Sequence, residues 1–239
     1  LCNIMTPMGQ AYSDSVSMLV ISSCLDEVSA RKGQLHQMKD QRAAAETVCD
    51  WSNEAGSADA AYTLIDRAFA EFQNVRPRPK HIQVPIALLE GQAAPVARNL
   101  SLPSNKNADG DVIQDVFTRL LYAQYPLIIF GGGVAKGDCE GVAKAMRTIG
   151  AASMVSTAGR GLVDPVDPFT FGACLARPSS AEVAAKADLV VVVGCELAEV
   201  DLWRSELGHA APLIRVDMDA SVGAADPKIS MFVQSDGAS

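Results

Sequence analysis

An α/β fold with parallel sheets is predicted, on three observations. First, Leu127 to Phe130 form an apolar run that passes directly into Gly131, Gly132 and Gly133, and a helical pattern begins near Gly137. A strand ending in glycines ahead of a helix is the entry turn of a doubly wound sheet, where a helix N-terminus can hold an anion. Second, three further strand-like runs, Ser153 to Thr157, Asp188 to Val193 and Leu213 to Asp217, alternate with helix-like stretches. Such alternation implies parallel strands joined by right-handed crossovers. Third, 49% of the 239 residues are hydrophobic but only 5% are aromatic, which favours close helix–sheet packing over an aromatic-rich sandwich.

In chain order, Thr6 to Ser13 reads as a short helix with Pro7 tolerated in its first turn. Met18 to Ser22 reads as a short buried strand. Cys24 to Lys39 is polar and without period, hence a loop, and Asp40 to Asp50 is helical. Ser57 is placed to cap an amphipathic helix in which Ala61, Leu64, Ile65, Ala68, Phe69 and Phe72 recur at helical spacing. Asp59 in its first turn suits the helix dipole. Arg76 to Pro79 stops that helix, and His81 to Val84 forms the next strand, ended by Pro85. From Glu90 to Gly110, Gln, Ala, Pro, Ser and Asn displace the apolar period, the composition of a linker. A second domain then starts with a helix over Asp111 to Tyr122. Both ends read as the interior of something longer: Leu1 to Met5 already lies mid-element, and Val233 to Ser239 follows a strand with no closing helix. A piece of a longer polypeptide is expected.

The net charge of −8 argues against a nucleic-acid surface, which needs clustered Lys and Arg. No run approaches the ~18 apolar residues of a membrane span, and no signal peptide is visible; a cytoplasmic protein is expected. Cys2, Cys24, Cys49, Cys139, Cys174 and Cys195 form no CxxC pair and keep no metal-ligand spacing to His36, His81 or His209. They read as reduced thiols, and no metal ligand is assigned.

Four places could carry chemistry. The glycine turn departs from the dinucleotide fingerprint, because Lys136 takes its sixth position and Ser156 and Thr157 end the second strand where an acid is needed. Gly131, Gly132 and Gly133 either contact a nucleotide or phosphate or serve only tight strand–helix geometry. Thr157, Gly159, Arg160 and Gly161 follow a strand, where doubly wound folds place ligands, and Arg160 could pair with phosphate. Asp217 and Asp219 end another strand and could accept from a ribose or merely cap a turn. Gly194, Cys195 and Glu196 share that ambiguity. In the long loop, His36 flanked by Gln34 and Gln37 is either a proton donor or substrate contact or a surface histidine.

The order of segments is familiar beyond this point. Thr6 to Ile21, with Ala11, Tyr12, Asp14 and Ser15, resembles the second half of the pyrimidine-binding domain of thiamine-diphosphate enzymes, whose helix ends in A-Y-x-D-S before a buried strand. Phe72 to Pro85 looks like the end of that domain, Arg78 replacing the glycine of R-P-G-P-V. Leu127 to Gly133, Thr157 to Pro168 and Ile214 to Asp219 resemble the central domain of the acetolactate synthase group. Gly33 to Gln37 with Asp40, Gln41 and Arg42 looks most like the 5-guanidino-2-oxopentanoate decarboxylases. Ser22, Ser23 and Cys24 stand where the group carries a T-G-Q turn, which argues against the acetolactate synthase substrate.

The resemblance implies a partial pyrimidine-binding three-layer α/β domain over 1–89, a linker over 90–110 and a doubly wound parallel-sheet central domain over 111–239. It implies a homodimeric or homotetrameric enzyme that decarboxylates or ligates a small 2-oxo acid with thiamine diphosphate and Mg²⁺. Family members activate the cofactor with a glutamate near the start of the first domain and hold Mg²⁺ with a Gly-Asp-Gly run in a third domain. Neither segment is present, so these residues alone are expected to be inactive. His36 and Gln37 would line the substrate mouth, and Asn3 would lie near the cofactor. The central domain of acetolactate synthases holds FAD with an R-F-D-D-R run; here Glu196, Glu199 and Asp201 stand near that place, which argues against FAD. Two rival readings are a flavin- or nucleotide-carrying module, using Gly131–Gly133, Thr157, Arg160 and Asp217, and a noncatalytic assembly piece.

Overall fold

The computed structural model describes residues 1–239 except 26–32, 96–106, 135–136, 226–227 and 238–239. The chain divides into two compact units, Leu1–Ser104 and Asn105–Ser239. Most of the expected linker, residues 96–106, lies outside the described residues.

The first unit runs α1 (Cys2–Ser13), β1 (Leu19–Cys24), α2 (Gln41–Glu46), β2 (Trp51–Glu54), α3 (Ala58–Asn74), β3 (Lys80–Pro85) and α4 (Ile86–Leu89). Its strands pair in the parallel order β1-β3-β2, with His81 opposite Val20 on one side and Ser52 on the other. Alternation of side chains across the sheet sends Trp51, Ile82 and Val84 to one face, where Ala61, Leu64, Ile65, Ala68 and Phe72 of α3 cover them. Val20 faces the other way, against Met8 of α1 and Ala45 of α2. Ser57 caps α3 by accepting from the Ala60 amide at 3.1 Å. Phe69, expected on the buried stripe, is 47% exposed and instead meets Phe72 edge to face.

Three boundaries differ from expectation. The first helix begins at Cys2, so Pro7 lies inside it; the ring cannot donate to the Asn3 carbonyl one turn back. The second helix stops at Glu46, and Trp51–Glu54 is a strand. Ser52, Asn53 and Glu54 hide it, because a short edge strand needs few apolar residues. A short helix, α4, follows Pro85.

The second unit continues with α5 (Gly110–Tyr122), β4 (Pro126–Phe130), α6 (Cys139–Ile149), β5 (Ala152–Val155), α7 (Ser179–Lys186), β6 (Leu189–Val193), α8 (Glu199–Leu202), β7 (Leu213–Asp217), α9 (Ala220–Ala225) and β8 (Ile229–Gln234). All five strands are parallel, in the order β5-β4-β6-β7-β8. Ile128, Phe130, Val191 and Ile214 pack against Leu120 of α5 and Met146 of α6. Leu127, Ile129, Val190 and Val192 pack on the opposite face against Ala184 of α7 and Leu202 of α8. Helices on both faces explain why these strands are apolar at nearly every position. Asp138 caps α6 on the Gly141 amide at 3.0 Å, and Gly150 ends it at φ 76°. The fold class is thus α/β with parallel sheets, as predicted. Among the described residues no helix is long and apolar enough to cross a membrane.

Candidate functional site

In the second unit the chain leaves β4 toward β5 and returns to the other side for β6. The carboxyl ends of β4 and β6 therefore form the switch point at which open α/β sheets take ligands. Here that point is closed by backbone. The Gly131 amide donates to the Val193 carbonyl and the Gly133 amide to the Gly194 carbonyl, both at 2.9 Å. A Cβ on Gly131 would collide with the Gly194 carbonyl and with Cys195, one on Gly133 would lie 2.9 Å from Gly194 Cα, and one on Gly159 2.7 Å from the Phe130 carbonyl. These glycines let three strand-end loops touch. Gly132, Thr157, Arg160 and Gly161 face outward and are exposed, and Gly161 needs its φ of 91°.

The acidic candidates are engaged in turning the chain. Asp217, buried, accepts from the Asp219 amide at 3.0 Å and lies 3.9 Å from Arg215. Asp219 accepts from the Ser221 amide at 2.9 Å and from its hydroxyl at 2.6 Å. Arg215 donates to the Cys195 carbonyl, which ties the end of β7 to the glycine turn. Burial, with the Asp201 charge adding to it, pushes the Cys195 thiol up to about 12, so it stays protonated and is no nucleophile. Arg204, the cation nearest the acidic loop in sequence, donates to the carbonyls of Leu175, Leu202, Glu206 and Leu207 and to Ser180 Oγ.

In the first unit, Asn3 lies on α1, and His36 and Gln37 lie on the loop that leads into α2. Cys2, beside Asn3, contacts Met38 sulfur to sulfur at 3.9 Å. The Gln37 side chain accepts from the Gln34 amide at 3.1 Å, and the Gln37 amide donates to the Gln34 carbonyl at 3.0 Å. That turn holds His36 exposed at φ 63°, a conformation few non-glycine residues adopt.

Sequence reasoning missed a polar chain that spans the three strands of this unit. His81, fully buried, has Nε2 2.8 Å from Ser22 Oγ and Nδ1 2.6 Å from Ser52 Oγ. Gln41 donates to Ser22 Oγ at 3.0 Å and to the Ser23 carbonyl at 2.8 Å. The one available signal was Ser22 inside an apolar strand together with a histidine in another. Burial pushes His81 down to about 4 from 6.5. The folded state therefore favours neutral His81. Its contribution to stability is fully present above pH 6.5 and is lost as pH falls toward 4, roughly 3 kcal/mol in all. Unfolding free energies measured between pH 7 and pH 4 should show this decline, and His81→Gln should flatten it. An equal slope in the variant would exclude His81 as the cause.

The profile of the thiamine pyrophosphate enzyme central domain matches residues 113–238. The chain is 39% identical over 224 residues to the probable 2-ketoarginine decarboxylase AruI of Pseudomonas aeruginosa, covering 91% of this chain and 39% of that protein. It is 22% identical over 204 residues to the 2-hydroxyacyl-CoA lyase of Oryza sativa subsp. japonica, covering 80% of this chain and 34% of the lyase. Benzoylformate decarboxylase from Polynucleobacter necessarius superimposes with a TM-score of 0.80 at 18% identity, over 99% of this chain and 45% of that one. The thiamine diphosphate-dependent 4-hydroxybenzoylformate decarboxylase of Rhodococcus jostii RHA1 gives 0.79 at 18% identity, over 99% and 46%. The chain belongs to the thiamine pyrophosphate enzyme family. It spans between a third and two-fifths of the length of the curated relatives it matches.

The family implies thiamine diphosphate. Among the described residues, no three His, Cys, Asp or Glu side chains converge where they could hold a metal ion.

Proposed function

We propose that the protein carrying this chain is a thiamine-diphosphate- and Mg²⁺-dependent 2-oxo acid decarboxylase whose substrate is 5-guanidino-2-oxopentanoate. The observation that carries this reading is the 39% identity to the 2-ketoarginine decarboxylase, which extends over 91% of the chain and so through both units. In such enzymes the cofactor carries the chemistry, and the protein binds, orients and excludes water. Residues 1–89 would be part of the pyrimidine-binding domain, 90–110 a linker and 111–239 the central domain. His36 and Gln37 would meet the substrate and Asn3 would lie near the cofactor, in a cytoplasmic homodimer or homotetramer. The central domain would be a scaffold without FAD. The loops at its switch point touch through their own backbone, and Glu196, Glu199 and Asp201 follow β6, negative charge that disfavours a dianionic diphosphate.

Turnover tests this directly. The full reading frame, supplied with thiamine diphosphate and Mg²⁺, should release CO₂ from 5-guanidino-2-oxopentanoate, and the 239 residues alone should release none. The purified protein should be colourless. Activity confined to benzoylformate or pyruvate would overturn the substrate, inactivity on every 2-oxo acid would overturn the class, and a bound flavin would overturn the scaffold role.

A further inference from the structure

Residues 33–40 carry His36 and Gln37 and run straight into α2 through the Asp40 cap, whose carboxylate accepts from the Ala43 amide at 2.9 Å. The first residue of α2, Gln41, turns back onto the sheet. Its amide donates to both Ser22 Oγ and the Ser23 carbonyl. Ser22 continues to His81, and His81 to Ser52. One polar chain therefore crosses all three strands, from the buried Ser52 to the half-buried start of α2. Attachment of α2 does not require it, because Ala45 already packs against Met8, Val20 and Cys49. Apolar contact is non-directional; two amide hydrogen bonds fix where α2 begins along the sheet, and with it the loop immediately before it.

We propose that Gln41 is a positioning residue for the substrate, acting through the 33–40 loop that it ties to Ser22, His81 and Ser52. This rests on the reading of His36 and Gln37 as substrate contacts. The geometry supports the role in a second way: His36 is held in the left-handed region, a conformation that persists only where its surroundings over-determine it. The Gln34–Gln37 turn spans it, and two anchors follow it, the Cys2–Met38 contact and Gln41 at the exit of the loop.

Two variants of opposite helix preference separate positioning from mere helix support. Gln41→Glu places a carboxylate in the first turn of α2, which suits the helix dipole, but loses the donors to Ser23. Gln41→Lys opposes the dipole and keeps donors. In the full-length enzyme, Gln41→Glu should raise KM for 5-guanidino-2-oxopentanoate about tenfold while kcat stays within about twofold. Gln41→Lys should stay near wild type. Amide exchange of residues 33–40, measured without substrate, should accelerate in Gln41→Glu and not in Gln41→Lys. In a His36→Ala/Gln37→Ala background, which lacks both loop contacts, the penalty of Gln41→Glu should vanish. The reverse order, with Lys the more damaging, would overturn the proposal and leave a helix-support role. If that double variant raises KM and Gln41→Glu adds to it independently, positioning falls while the substrate reading survives. If that double variant leaves KM unchanged, the substrate reading of the loop falls and positioning falls with it.

Discussion

Lys80→Met should destabilise the first unit by about 3 kcal/mol, the lower end of the range for breaking a buried ion pair. The Lys80 side chain is 1% exposed, and its ammonium meets Glu71 at 2.8 Å as well as Asp50. Glu71 also accepts from Trp51 Nε1 at 2.8 Å and Arg67 Nε at 2.7 Å, and the Arg67 guanidinium stacks 4.7 Å above the Trp51 ring. Burial alone would raise Glu71, but hydrogen bonds from Lys80, Trp51 and Arg67 outweigh it and hold the carboxyl below its usual range. Methionine fills the space and supplies no charge, so Glu71 keeps its desolvation and loses its strongest partner. Asp50 is 46% exposed, so water replaces much of its share, which is why the lower end of the range applies. Denaturant unfolding followed by Trp51 fluorescence reads the loss; Trp203, 78% exposed, contributes little change. Lys80→Met with Glu71→Gln should recover part of it, because a neutral amide beside methionine costs less than a carboxylate that has lost its ammonium and keeps only Arg67 and Trp51. A loss below about 1 kcal/mol would show that the cluster behaves as a surface pair.

Such a cluster marks the limit of what the chain discloses before folding. Helix and strand periods made the second unit legible: the all-apolar runs of β4 and β6 need two covered faces, and the structure supplies them. Ser57 and the α3 stripe were equally plain, because a cap and a 3.6 period are local signals. Lys80, His81 and Gln41 were not. Lys80 sits at the start of an apolar strand, where charge reads as a boundary, yet its partners arrive from β2 and α3 only once the sheet has formed. Trp51–Glu54 escaped for a related reason: three of its four residues are polar, and one of them, Ser52, is polar because it faces a buried histidine. The glycine turn was seen at once, but its meaning was not. Gly131 and Gly194 lie 63 residues apart in sequence, and only the parallel pairing of β4 with β6 brings their backbones into contact.

That contact sets the second large effect. Gly131→Ala should destabilise the second unit by roughly 3 kcal/mol, the upper part of the range for overpacking. The added methyl would sit against the Gly194 carbonyl and the Cys195 Cα. Neither is the end of a flexible side chain, and both are fixed. Gly131 and Gly133 hydrogen-bond to the carbonyls of Val193 and Gly194, and Arg215 holds the Cys195 carbonyl from below. Relief would require parting β4 from β6 at the centre of the sheet. Gly110→Ala provides the contrast: a methyl there meets nothing within 4 Å in the first turn of α5, so the variant should be neutral or more stable by up to about 1 kcal/mol. Hydrogen exchange of the β4 and β6 amides, compared across the two variants, separates the causes. Rapid exchange in Gly131→Ala alone identifies the glycine as a condition of folding. Native exchange in Gly131→Ala would mean that the strand-end loops can part, that the switch point can open, and that a ligand at the carboxyl end of this sheet must be reconsidered.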